Sequence, residues 1–402
     1  MHEVYIYDGI RTAFGRHGGG LAGIRSDELL AATIRELLKR NPLDGSLIED
    51  VVAGDTNQAG EDARNVARTA ALLAGLPTTV AGMTVNRLCG SGAAAALVCA
   101  QAIQCGSGNL YIAAGVESMS RSPWVIGKAE SPYSRAQEMF DSTIGWRFPN
   151  PRFLKEHGNY SMAETADNIA KDLGITRADS DAYAYASQQR YAAARAEGFY
   201  QGEIMAIEVP GASRKDPVTV IAADEHPRPD TTLEKLAALK PLYPGGVVTA
   251  GNASGINDGA GALLLGNAEI GRQLGLRPRV QIISGAVAGV DPRIMGLGPV
   301  PASQKALQRA GLTLKDMDHI EINEAFATQV LGVLQQLQLS KDDNRVNPNG
   351  GAIAIGHPLG ASGIRLILTA MRQLQRTNGR YALVTLCIGI GQGIAVILKR
   401  TS

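Results

Sequence analysis

The sequence predicts an α/β protein made of two like halves, each ordered β-α-β-α-β, with a loop domain inserted between them. Three observations carry this reading. Short apolar strand patterns alternate with helical stretches of about 10 to 15 residues, the pattern of a mostly parallel sheet covered on both faces. A weak repeat is written at a fixed offset. Ser91-Gly92 opens an Ala-rich helical stretch that ends near Gly108 and leads into the strand-like run Leu110 to Ala114. Ser362-Gly363 opens a second, which ends at Gly379 and leads into Tyr381 to Leu386. Finally, 402 residues exceed the roughly 250 to 300 that one core usually holds, so two or three packed units are expected.

The elements ahead of each copy match in order. Strands are expected at Glu3 to Tyr7 and Arg279 to Ile283, amphipathic helices at Asp27 to Arg40 and Ala302 to Ala310, and second strands at Asp50 to Ala53 and His319 to Ile322. Two such halves can stack face to face. The stretch between them changes character, with clustered Pro, Ser, Arg and aromatic residues (Ser122-Pro123-Trp124, Trp146-Arg147-Phe148-Pro149) and one long helix at Ser180 to Glu197. It reads as a cover for a site built by the halves. The expected boundaries are 1–118 with 247–275 for the first half, 119–246 for the insert, and 276–402 for the second half.

With 39 Lys and Arg against 38 Asp and Glu, the formal charge of +1 supplies no long-range field for nucleic acid or an anionic membrane. Apolar runs break well short of the roughly 18 residues a bilayer span needs. The first residues lack the cationic and then apolar pattern of a signal peptide, so the expected address is the cytoplasm. None of the four cysteines forms a C-x-x-C pair, which argues for free thiols and against zinc or any other metal.

In α/β sheets reactive groups gather where a strand turns into a helix. Cys89 lies at such a turn, in Asn86-Arg87-Leu88-Cys89-Gly90-Ser91-Gly92. Facing a helix N-terminus, its thiol is expected to ionise more readily than a free cysteine. Cys99 and Cys105, within the helical stretch, read as small core residues. His357, in Gly356-His357-Pro358-Leu359-Gly360, holds the matching turn of the second copy. If the halves pair about a pseudo-twofold axis, both turns face one cleft. Cys387 follows a strand and precedes the Gly-rich reversal Gly389-Ile390-Gly391, where it can exchange protons with a substrate carbon or simply fill space. Asn323, in Asn323-Glu324-Ala325-Phe326-Ala327, can hold a water or an oxyanion or cap the next helix. Gly251-Asn252-Ala253-Ser254-Gly255 is a small-residue turn.

Six spaced segments, taken together and in this order, resemble the thiolase family of acyl-CoA acetyltransferases across essentially the whole chain. They are N-R-L-C-G-S-G around Cys89, G-V-E-S-M-S from Gly115, G-N-A-S-G-I-N-D-G-A from Gly251, N-E-A-F-A from Asn323, G-H-P-L-G-A-S-G from Gly356 and C-I-G-I-G-Q-G from Cys387. The resemblance implies a five-layered α-β-α-β-α body, coenzyme A and acyl-CoA as substrates with no permanently bound cofactor, and a homotetramer built as a dimer of dimers. It also implies roles. Cys89 is the nucleophile that carries the acyl group as a thioester, His357 its base and Cys387 the second acid/base. Asn323, through a water, and His357 form one oxyanion site, and the backbone N–H groups of Cys89 and Gly389 form the other. Ser254 and Arg228 match positions that contact coenzyme A.

Cys387 counts against the related decarboxylating synthases, which use two histidines. Ser161 stands where relatives that make acetoacetyl-CoA often carry His. The loop from Trp124 to Arg152 looks like that of thiolases cleaving 3-oxoadipyl-CoA to succinyl-CoA and acetyl-CoA. Acetoacetyl-CoA synthesis, a general 3-ketoacyl-CoA thiolase and a non-catalytic acyl-CoA binder are the alternatives. The distal carboxylate of such a substrate needs a cation on burial. Arg147, ahead of Arg121 and Lys128, is expected to meet it, unless Arg147 pairs within its own loop.

Overall fold

Hydrogen bonds join nine strands into a single path in the computed structural model, which describes residues 2–211, 215 and 217–401. The first half supplies β1 (Tyr5–Thr12), α1 (Ser26–Arg40), β2 (Asp50–Gly54), α2 (Val66–Leu73), β3 (Ala81–Val85), α3 (Ser91–Gln104) and β4 (Leu110–Ser118). Within the insert lie α4 (Met162–Leu173) and α5 (Arg177–Ala196), after which the chain returns as β5 (Asn257–Gly266). The second half contributes β6 (Val280–Gly289), α6 (Pro299–Ala310), β7 (His319–Ile322), α7 (Ala327–Gln336), α8 (Leu359–Thr377), β8 (Tyr381–Ile388) and β9 (Gln392–Arg400). The spatial order is β7-β8-β9-β6-β1-β5-β4-β2-β3, and the two halves meet at a seam of two residue pairs, Tyr5 with Gln281 and Ile6 with Val280.

The expectation of a mostly parallel sheet is corrected. Along that path the outer pairs β2–β3, β2–β4 and β7–β8 run parallel, whereas β1–β5, β1–β6, β4–β5, β6–β9 and β8–β9 are antiparallel. The tight return through Gly389–Gly391 permits no crossover, so β9 must run back along β8. Strand β5 was not anticipated, because its Gly and Ala content carries little β-propensity. Packing explains that content: a Cβ on Gly259 would lie 2.4 Å from the Phe14 ring, and one on Gly261 2.9 Å from Ile364. Helix α5 begins at Arg177, ahead of the expected Ser180, because Thr176 and Asp179 form a reciprocal cap.

Alternation along the strands sorts side chains into layers. Val52, Ala113, Leu263, Val384 and Val396 point to a shared interior with Ala93, Cys99 and Ile103 of α3 and Ile364, Ile367 and Met371 of α8. The other face of the first half packs Val51, Ile112 and Ala114 on α1 and α2. The other face of the second half packs Leu383 and Ile397 on α6 and α7. The result is five layers, α-β-α-β-α, with α3 and α8 at the centre. Each buried Leu or Ile contributes about 1.5–3 kcal/mol of apolar burial.

Where α3 and α8 touch, the repeated glycines allow backbone to meet backbone. A Cβ on Gly92 would lie 2.6 Å from the Gly360 carbonyl oxygen, and one on Gly363 2.1 Å from the Ala93 nitrogen. The insert is tied to both halves through buried charges. Glu324 accepts from Tyr183 Oη (2.9 Å), Ser187 Oγ (2.7 Å), Asn347 Nδ2 (3.0 Å) and the Ile353 N–H (3.2 Å). Arg11 bridges Glu203 and Asp224, each at 2.7 Å.

Candidate active site

Between β3 and α3 the chain makes a strained turn. Leu88, immediately before Cys89, holds φ +45°, a left-handed conformation costly for a branched side chain. Asn86 compensates: its Oδ1 accepts the Leu88 N–H at 2.9 Å, while its Nδ2 donates to the Thr56 carbonyl at 3.0 Å. Ser91 Oγ accepts the Arg87 N–H at 2.8 Å and donates to the Leu88 carbonyl at 2.6 Å.

The thiol of Cys89 does not ionise readily. Burial pushes it up to about 11, against the pull of the Gly389 N–H and its own N–H, and the charge of Glu117 adds to the rise. The expected lowering is therefore corrected. A helix terminus supplies about 0.3–1 kcal/mol, less than desolvation takes away. Glu117 itself is pushed up to about 7 by burial, offset by donors from Thr56 and the Gly360 N–H.

In the second half the equivalent turn presents His357. Its backbone N–H donates to Asn257 Oδ1 at 2.9 Å, and Gly356 precedes it at φ +109°. Ser362 fixes the ring. That hydroxyl gives its one hydrogen to the Pro358 carbonyl (2.8 Å), so it must accept from Nδ1–H of His357 (2.6 Å). Nε2 then carries the lone pair and accepts from Asn323 Nδ2 at 3.3 Å. Burial, followed by the charge of Arg365, lowers His357 to about 3. The imidazole is thus neutral, with its basic nitrogen aimed toward Asn323. Asn323 is fully buried, and its Oδ1 has no partner among the described residues. Phe326, not Asn323, is the N-cap of α7, which removes the capping alternative.

Cys387 is the last residue but one of β8, opposite Gly393, and burial, then the neighbouring Cys89, raises its thiol well above the usual range. Gly389 follows in the loop. A Cβ there would lie 3.0 Å from the Trp146 ring, 3.2 Å from Leu88 and 3.5 Å from Met162 Sδ. The insert therefore reaches the loop that contacts Cys89. Trp146 is held by its Nε1–H to the Tyr160 carbonyl (3.2 Å), and Ser161 caps α4 in a reciprocal pair with Glu164 just before Met162.

Cys89, Cys387 and Gly389 thus form one contact group and His357 and Asn323 another, and the Gly92–Gly360 contact and Glu117 join them. Ser254 and Arg228 stand apart, with no hydrogen bond to either group. Ser254 donates its N–H to the Ala325 carbonyl (2.9 Å), and the exposed Arg228 donates its N–H to Gln188 Oε1 (2.9 Å).

Arg147 donates to the Ser142 carbonyl (3.3 Å) and lines a cavity. Arg121 is engaged at both ends of Glu61 (2.5 and 2.6 Å), and Lys128 is exposed and does not line that cavity. Cys99 is buried as expected, but Cys105 is exposed at the end of α3. Sequence reasoning missed Ser362, Asn257 and Trp146. The Ser-Gly repeat and the Arg-aromatic cluster were the signals available for the first and last.

A fold of two halves with a thiol at one central turn and a neutral imidazole at the other defines an acyl-transferring enzyme class. The family model for the thiolase N-terminal domain matches residues 4–269, and that for the thiolase C-terminal domain matches residues 276–400. The chain belongs to the thiolase family and is an acyltransferase. It is 58% identical over 402 residues, all of both chains, to the beta-ketoadipyl-CoA thiolase of Escherichia coli. Among solved structures it resembles the Bacillus anthracis acetyl-CoA acetyltransferase (TM-score 0.93, 37% identity, covering 100% of this chain and 99% of that one). It also resembles human mitochondrial 3-ketoacyl-CoA thiolase in complex with CoA (TM-score 0.91, 38% identity, covering 100% and 98%).

Proposed function

We propose that this thiolase cleaves 3-oxoadipyl-CoA with coenzyme A to give succinyl-CoA and acetyl-CoA. The 58% identity to the Escherichia coli enzyme over the full length of both chains is the observation that carries the substrate. The fixed tautomer of His357 carries the chemistry. In the resting enzyme both thiols and the imidazole are neutral. His357 Nε2 takes the Cys89 proton as the sulfur attacks the 3-oxo carbon. The N–H groups of Cys89 and Gly389 and the pair Asn323, through a water, and His357 receive the oxygen charges that develop. Each such donor is typically worth about 3–4 kcal/mol.

The bond between C2 and C3 breaks, leaving succinyl on Cys89, and the departing acetyl-CoA enolate takes the proton of Cys387. Cys387, now thiolate, removes the proton of the incoming CoA thiol, whose sulfur displaces Cys89 from the succinyl carbonyl. Cys89 recovers its proton from His357. Two half-reactions of this kind give ping-pong kinetics. The same reading assigns residues 119–246 to a cover that holds CoA, with Ser254 and Arg228 contacting it; residues 212–214 and 216 of that stretch lie outside the described residues. It also takes the enzyme as a cytoplasmic homotetramer. Among the described residues no helix is long and apolar enough to cross a membrane.

Incubation with acetyl-CoA followed by peptide mass spectrometry tests the chemistry: an acetyl group on Cys89 is expected, and its absence would reduce the chain to a binder. Thiolysis rates on 3-oxoadipyl-CoA, acetoacetyl-CoA and a longer 3-oxoacyl-CoA test the substrate, with the first expected to be fastest. Light scattering tests the tetramer.

A further inference from the structure

A cavity of about 830 Å³ opens beside the Cys89 turn, lined by Thr56, Asn86, Arg64 and Arg147 among others. Cys89, His357 and Cys387 do not line it. Its walls are nonetheless continuous with the reacting loops. Asn86 holds the Leu88 N–H next to Cys89, Thr56 Oγ1 donates to Glu117 at 2.8 Å, and Trp146, adjacent to Arg147, packs on Gly389.

Two guanidinium groups in one cavity repel each other unless an anion lies between them. Among the described residues no carboxylate forms an ion pair with either guanidinium. Glu61 is occupied by Arg121 and Arg25, Asp62 accepts from Ser26, and Asp141 accepts from the Thr143 N–H. The Arg64 guanidinium has no hydrogen bond or ion pair among the described residues, and Arg147 makes one bond, to a neutral carbonyl. The main chain also supports Arg64 at some cost. Ala63 and Arg64 both hold positive φ (49° and 67°), in a loop closed by the Arg64 N–H to the Gln58 carbonyl at 3.2 Å. Consecutive left-handed non-glycine residues persist only where the surroundings enforce them.

We propose that Arg64 and Arg147 together receive the distal carboxylate of a dicarboxylic 3-oxoacyl-CoA, and so set its preference over neutral acyl chains. This rests on the reading that Cys89 carries the acyl group. A succinyl thioester on Cys89 places its carboxylate carbon four bonds from the sulfur, roughly 5–6 Å when extended. The cavity begins at Asn86, the residue that holds the Leu88 N–H beside Cys89. Paired guanidinium groups match a carboxylate's two oxygens and strengthen as water leaves.

The experiment compares kcat/KM on 3-oxoadipyl-CoA and acetoacetyl-CoA for the full chain, Arg64→Met, Arg147→Met and the double variant. Each single change is expected to lower the dicarboxylic value about 10- to 100-fold with the neutral value held within about twofold, and Arg64→Lys to restore part of the loss. Arg147→Met also removes the bond to Ser142, so loop disturbance would lower both substrates together in that variant. Arg64→Met breaks no bond within the protein and decides the case. If it lowers both substrates equally or neither, the proposal is wrong while the substrate reading stands. If the unaltered enzyme shows no preference for the dicarboxylic substrate, the substrate reading fails and takes this proposal with it.

Discussion

The two central turns use the same serine for different ends. Ser91 opens α3 and Ser362 lies in the first turn of α8, and each donates its hydroxyl hydrogen to a carbonyl one turn back, Leu88 at 2.6 Å and Pro358 at 2.8 Å. Each oxygen then accepts one donor. In the first half it is the Arg87 N–H, which stabilises the turn. In the second it is the His357 ring, which fixes the tautomer. One frame, duplicated, holds a nucleophile by its backbone and a base by its side chain.

The largest test of this division removes the reacting groups. Cys89→Ala is expected to reduce kcat by about 10⁴-fold or more, and His357→Asn by about 10²–10⁴-fold, in a steady-state thiolysis assay. Next come the glycines of the shared contact. Gly363→Ala forces a Cβ against the Ala93 nitrogen and Gly92→Ala one against the Gly360 carbonyl, so each should cost about 3 kcal/mol or more in denaturant unfolding.

The serines follow, and they should separate. Ser362→Ala is expected to lower kcat about tenfold, whereas Ser91→Ala should cost about 1 kcal/mol of stability with kcat nearly unchanged. Equal effects on kcat would erase the distinction between the turns. The last test concerns pH. Because burial raises the Cys89 thiol to about 11, its thiolate fraction at neutrality is lower than that of a free cysteine and grows as pH rises. Iodoacetamide alkylation of Cys89 should therefore climb about tenfold per pH unit from 7 to 10. A plateau below pH 8 would mean a thiol lowered by the helix terminus after all.

The repeat, the turns and the alternation of strands and helices are local properties, which is why Ser91-Gly92 and Ser362-Gly363 were readable before any coordinates. Strand direction was legible only for β9, which a tight turn sends back along β8; β5 pairs with strands distant in the chain and is made of residues chosen for close packing. The position of Cys89 at a strand end was legible but its protonation was not. Desolvation comes from burial, and that burial, the Gly389 N–H and the Glu117 charge reach the sulfur only on folding. Arg121 looked as available as Arg147 until Glu61 was found on it.

Leu88 at φ +45° and Ile390 at φ +63° flank the two loops that meet over Cys89. Each holds a conformation that glycine would adopt without penalty. Ile390 is exposed, so selection for heat resistance alone should find glycine there early, gaining on the order of 1 kcal/mol while slackening the loop that orients the thiol, whereas Leu88 packs on the core and would lose more than it gained. In this scaffold thermal tolerance and turnover are set against each other at one exposed residue outside the reacting groups.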